Sequence, residues 1–279
     1  MTRSNEIRQR GKEALRSIPG IVALYEFGSH ANGTADEWSD IDFQLFSEDV
    51  DISVSGRCAP LLAIAPVMIE WTIVRTENAW ASTVLFADTS PLCHLDIGIS
   101  TAGSFVHDSM LSESRLHWTQ KARYQSTGME PAWFAPEPGG AEHAMLGDIL
   151  GALRYVKARR RGQDLLCWKF FSALANRMLE AAYQVRVHRD RGFGKPLTSH
   201  EHMQLRKALS RAETDDLASM IVTSDGASMD RNMVQLGHAL VKLIDEREEI
   251  SSTCRTAVMM LLTWIERALL DQEFNDALS

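Results

Sequence analysis

Between Glu26 and Phe43 the chain reads EFGSHANGTADEWSDIDF. A β-rich stretch ends in Phe27-Gly28-Ser29, ten residues intervene, and a second stretch opens with Asp40-Ile41-Asp42. Residues two apart on a strand project from the same face, so Asp40 and Asp42 aim two carboxylates at one region. Such a pair suits Mg2+, a hard cation held by a few carboxylates together with the phosphates of a substrate. Gly28 lets a phosphate approach the backbone, and the amide and hydroxyl of Ser29 can donate to it. The chemistry this set points to is displacement at phosphorus, with metal ions stabilising the attacking and leaving oxygens. A third carboxylate is expected to complete the metal shell or take the nucleophile's proton. Two predicted strands supply one each: Glu70 in MIEWTIV and Asp96 in HLDIGIS. An Asp-x-Asp or a Gly-Ser is commonplace alone; their order and the apolar residues around them make the set specific.

The elements that must position these residues follow from periodicity. Strands are predicted over 21–27 and 41–46, the second with Ile41, Phe43 and Leu45 on one face and Asp40, Asp42 and Gln44 on the other. Further strands are predicted over 67–74, 83–87 and 92–100. In the last, Cys93, Leu95, Ile97 and Ile99 face one way and His94, Asp96, Gly98 and Ser100 the other, Gly98 leaving room for a substrate. A helix is expected over 4–17, stopped by Pro19-Gly20, and a short one over 56–65. The stretch STGMEPAWFAPEPGG at 126–140 reads as a linker. Beyond it, helical spacing runs over 141–161, 163–186, 199–210, 230–248 and 252–275. Strands followed by helices predict an α+β protein with a catalytic domain over 1–135 and a helical bundle over 136–279.

Charge narrows the partners. The 279 residues hold 29 Lys+Arg and 37 Asp+Glu, a formal net of -8. Residues 1–135 hold 10 and 17 of these, a net of -7. Nucleic-acid binding draws most of its affinity from neutralising phosphates, so this balance argues against a polyanionic partner and suits a cationic ligand. Cys58, Cys93, Cys167 and Cys254 form no C-x-x-C pair and read as buried thiols of a reducing cytosol. The N-terminus lacks the apolar core of a signal peptide. The longest apolar run, 59–69, is broken by Pro60 and Pro66 and falls far short of the ~20 residues a bilayer needs. A cytoplasmic protein with no membrane partner is expected.

Phe27-Gly28-Ser29, ten residues, then Asp40-Ile41-Asp42-Phe43 resembles the signature of the polymerase-β-type nucleotidyltransferase superfamily. Within it, the chain is most similar to bacterial aminoglycoside adenylyltransferases of the streptomycin type. VLFADTSPLCHLDIGIS resembles that group's hairpin, whose second strand carries the third carboxylate, here Asp96. VMIEWTIV is similar to the strand that bears the catalytic glutamate in the related streptomycin/spectinomycin enzymes, which would make it Glu70. ALRYVKARRRGQDLLCW resembles the first bundle helices, with Lys157 one position early for its role on the triphosphate. The resemblance covers about residues 20–185 and implies a mixed β-sheet flanked by helices, followed by a helical bundle. It also implies a Mg2+-dependent enzyme that moves AMP from ATP to a hydroxyl of an aminoglycoside-type antibiotic, a resistance activity. Asp40, Asp42 and Asp96 would hold metal, Asp96 would serve as base in preference to Glu70, and Gly28, Ser29 and Lys157 would hold phosphate. Transfer to a protein or tRNA, or a degenerate nucleotide-binding module, are the alternatives.

Other features read as structural. Arg154, Lys157, Arg159, Arg160 and Arg161 suit a solvated helix end, with Lys157 the first choice for a phosphate contact. His200-Glu201-His202 suits an exposed helix start, and Met259-Met260-Leu261-Leu262 suits core packing.

Overall fold

A computed structural model describes residues 3–47, 61, 63–75, 79–87, 89–101, 115–119, 141–187, 196–223, 225–247 and 250–271. The chain divides into two compact units, Met1–Pro138 and Gly139–Ser279. The predicted linker at 126–140 and most of the predicted helix at 56–65 lie outside the described residues.

The first unit is built on a six-stranded mixed sheet. Its strands are β1 (Ile21–Phe27), β2 (Ile41–Ser47), β3 (Val67–Arg75), β4 (Ala79–Phe86), β5 (Leu95–Thr101) and β6 (Arg115–Thr119). They lie in the order β3-β4-β5-β2-β1-β6. Among the described strands, only β2 and β5 run parallel, and the other pairings are antiparallel. β2 is therefore internal, flanked by β1 and β5. One face of the sheet carries Leu24, Ile41, Phe43, Leu45, Val84, Leu95 and Ile97, all in one buried cluster. Helix α1 (Arg3–Arg16) adds Ile7 and Leu15 to it, two turns apart on one stripe. Gly11 lies on the same stripe, and a Cβ there would come within 3.1 Å of the Phe43 ring, so its lack of a side chain sets how closely helix and sheet approach.

This apolar face also carries charge. Glu26 of β1 is fully buried, and α1 answers it twice. Arg8 donates from Nε to one carboxylate oxygen and from a terminal nitrogen to the other at 2.5 Å, while Lys12 Nζ stands 3.6 Å away. The bond to Glu26 raises the Arg8 pKa against the effect of burial.

The second unit contains α3 (Ala141–Arg160), α4 (Asp164–Arg186), α5 (Ser199–Ala208), α6 (Arg211–Ile221), α7 (Gly226–Arg247) and α8 (Ser252–Leu270). Leu150, Leu153, Tyr155 and Val156 of α3 and Leu174, Met178 and Ala182 of α4 are buried, as the 3–4 spacing predicts, whereas Phe170, the first member of the α4 stripe, is only partly buried. None of the described helices is long and apolar enough to cross a membrane. Cys93, Cys167 and Cys254 are buried; Cys58 lies outside the described residues.

Three expectations need correction here. Helix α6 was not anticipated, although Ser210 and Glu213 cap it reciprocally. Met259 and Met260 are exposed, and only Leu261 and Leu262 face the core. The basic cluster is partly structural rather than solvated: Arg159 donates to both oxygens of Asp230 on α7 at 2.8 and 2.9 Å, and Arg160 donates to the Ala268 carbonyl on α8 at 3.0 Å. The Tyr155 hydroxyl donates to the same Asp230 at 2.6 Å, and burial followed by this bond raises its pKa. His200 and His202 lie in the first turn of α5, where Thr198 and Glu201 form a capping box.

A buried acidic pair makes this unit sensitive to pH. Arg177 bridges Asp148 at 3.0 Å and Glu180 at 2.8 Å. Burial pushes the Asp148 carboxyl from its usual 3.8 up to about 6, against the pull of Arg177 and with help from Glu180. The folded state thus keeps a proton that the unfolded chain releases between pH about 4 and 6. A raised carboxyl pKa contributes stability at low pH that is lost as pH rises through this window, on the order of 3 kcal/mol in all. Hydrogen exchange of α3 and α4 amides at pH 4.5 and 6.5 should show this loss, and Asp148→Asn should flatten it.

Candidate metal and phosphate site

The polar face of the sheet collects the remaining chemistry. Parallel pairing sets Asp42 opposite Asp96 and Ile41 opposite Leu95. The Ile41 amide donates to the His94 carbonyl at 3.0 Å, which ties the start of β2 to the start of β5. Asp40 precedes this link, delivered by a turn in which Ser39 Oγ donates to Asp36 Oδ1 at 2.7 Å. The result is a three-residue cluster. One ligand atom each from Asp40, His94 and Asp96 lies within 4.8 Å of the others.

Asp96 and His94 are held from behind. Thr83 of β4, directly across from Asp96 in the register, donates its hydroxyl to Asp96 Oδ1 at 2.5 Å. This leaves Oδ2 turned to His94 Nε2 at 3.8 Å. His94 Nε2 lies 3.3 Å from Asp40 Oδ2, and its Nδ1 bonds the Pro91 carbonyl at 3.2 Å. Two carboxylates and one imidazole form a donor set that fits a divalent cation.

Asp42 occupies a different part of the face. Gly28 has φ of +66°, and a Cβ there would stand 2.3 Å from Asp42 Oδ2. The absence of a side chain therefore both permits the left-handed turn after β1 and gives the Asp42 carboxylate its place. Ser29 lies in the short helix α2 (Gly28–Asn32), directly after β1. Its neighbour His30 is half-buried, and burial, then Arg8, lowers its pKa while Glu26 and Asp40 oppose them.

Glu70 is placed apart from the cluster. Glu70 pairs with Val84, which pairs with Leu95, so it projects from the face opposite Asp96. There it accepts a hydrogen bond from Ser82 Oγ at 3.3 Å. Lys157 belongs to α3 of the helical unit and is buried there. The room expected beside Gly98 is filled: the Gln44 carboxamide lies where a Cβ would stand and donates to the Leu45 carbonyl at 3.0 Å and Ser100 Oγ at 3.2 Å. His94 is the member of the cluster that sequence reasoning did not select. Its position two residues before Asp96, on the same polar face, was the available signal.

Residues 8–59 match the nucleotidyltransferase domain family. The matched stretch spans β1, α2 and β2, and with them Gly28, Ser29, Asp40 and Asp42. No curated protein matches the chain.

Proposed function

With a nucleotidyltransferase domain at residues 8–59 as premise, we propose that the protein transfers AMP from ATP, with Mg2+, to a hydroxyl of a small cationic acceptor of the aminoglycoside class. The observation that carries this reading is the convergence of Asp40 and Asp96 from neighbouring parallel strands onto one point. The acceptor oxygen attacks the α-phosphorus, its proton passes to the Asp96 carboxylate, and the bond to the β-phosphate oxygen breaks. Pyrophosphate leaves with the electron pair. Asp96 Oδ1 is engaged by Thr83, so Oδ2 is the oxygen that faces the cluster. Asp40, Asp42 and Asp96 would hold Mg2+, which supplies positive charge to the phosphates during displacement. Gly28 and Ser29 receive phosphate beside them, and Lys157 is assigned to the triphosphate. The catalytic domain is residues 1–135, the helical domain 136–279, and the setting is the cytoplasm. The charge of -7 over residues 1–135 favours a polyamine acceptor.

Pyrophosphate release from ATP and Mg2+ should be measured with aminoglycosides, lincosamides and tRNA in turn. Release is expected with an amine-rich acceptor and with neither of the others. A labelled nucleotide appearing on protein or RNA, with no small acceptor active, would overturn the acceptor assignment. Asp40→Asn is expected to abolish release with the circular dichroism unchanged.

A further inference from the structure

His94 is not among the carboxylates on which the proposed reaction rests, yet it is the most buried member of the cluster, 4 % exposed. A carbonyl oxygen only accepts hydrogen bonds. In the contact with Pro91 the ring proton therefore sits on Nδ1, and Nε2 is the ring nitrogen turned toward the carboxylates. Nε2 stands 3.3 Å from Asp40 Oδ2 and 3.8 Å from Asp96 Oδ2. Two carboxylate oxygens and a ring nitrogen so placed offer three ligand atoms to one cation. The arrangement is also preorganised. The Cys93 amide closes a turn on the Ser90 carbonyl at 2.9 Å, the His94 carbonyl anchors β2, and Thr83 holds Asp96.

We infer that His94 Nε2 is a nitrogen ligand of a divalent cation shared with Asp40 and Asp96, and that it tilts the site toward a transition-series ion such as Mn2+ over Mg2+. Both nitrogen–oxygen separations are below twice the about 2.0–2.2 Å bond that such ligands make. Mg2+ takes oxygen ligands and gives up its waters reluctantly, whereas imidazole suits transition ions. A backbone carbonyl on the far ring nitrogen is the arrangement that orients metal-bound imidazoles. The ion's role in turnover rests on the nucleotidyl-transfer reading; its ligation by His94 does not.

The test uses the full-length protein, stripped with chelator and loaded with MnCl2 alone. Pulsed EPR should show bound Mn2+ coupled to an imidazole 14N nucleus, and labelling histidine with 15N should change that coupling. His94→Gln should abolish the coupling and weaken Mn2+ binding by about tenfold or more. If this variant does not fold, His94→Asn takes its place, with His30→Gln expected to keep the coupling. Mg2+ should displace the Mn2+ only in large excess. Bound Mn2+ without nitrogen coupling would mean that His94 only braces the carboxylates through a shared proton, and the inference fails. It fails equally if Mn2+ does not bind, or if Mg2+ displaces it at equal concentration. Pyrophosphate release is a separate readout: its absence with the nitrogen coupling intact removes the proposed activity and leaves the ligation standing.

Discussion

Asp96→Asn is expected to lower turnover by roughly 10²–10⁴-fold, and by more if the carboxylate also binds metal, while Glu70→Gln costs far less. The asparagine keeps a carbonyl oxygen for the Thr83 hydroxyl, so β4 and β5 stay paired and only the charge and the proton acceptor are lost. Glu70 projects from the other face of the sheet and is held by Ser82, so its charge acts at a distance from Asp40. Steady-state pyrophosphate release, read beside thermal melting, separates the two variants. A large loss in Glu70→Gln with Asp96→Asn near wild type would reverse the assignment of the base.

Glu26→Gln is expected to destabilise the first unit by about 3–5 kcal/mol, because it leaves Arg8 and Lys12 facing a neutral group inside the core. Both cations are only 15 % exposed, so water does little to replace the lost partner. The Gln retains the shape, which isolates charge from packing. Replacing Arg8 and Glu26 together by Met and Leu should recover part of the loss, since the principal pair then disappears without stranding one member. Hydrogen exchange of β1 and β2 amides reads the effect on this unit alone. A loss under 1 kcal/mol in Glu26→Gln would show that the pair is incidental to stability.

Local pattern carried much of the organisation. The alternation Asp40-Ile41-Asp42-Phe43 decided which side chains share a face, because a strand's side-chain period is two whatever it pairs with. The apolar face it predicted is the face that packs on α1. The 3–4 spacing in α3 and α4 likewise identified buried stripes without a partner being known. Two elements escaped. β6 carries its period of two, Leu116 and Trp118 between Arg115, His117 and Thr119, over only five residues, and α6 was visible only as the capping pair Ser210 and Glu213.

What the sequence determined by itself was therefore the chemistry of each element: two carboxylates on one strand, one on each of two others, and a glycine–serine turn before them. The tertiary structure alone decided which of these meet. Parallel pairing of β2 with β5 brings Asp96 and His94 to Asp40, and the register through β4 turns Glu70 to the far face. It also fills the space beside Gly98 with Gln44, which no reading of one strand could reveal. The reason is physical. Periodicity is a property of one chain segment, whereas strand order and register arise from long-range pairing, and a shift of one residue exchanges every side chain between faces.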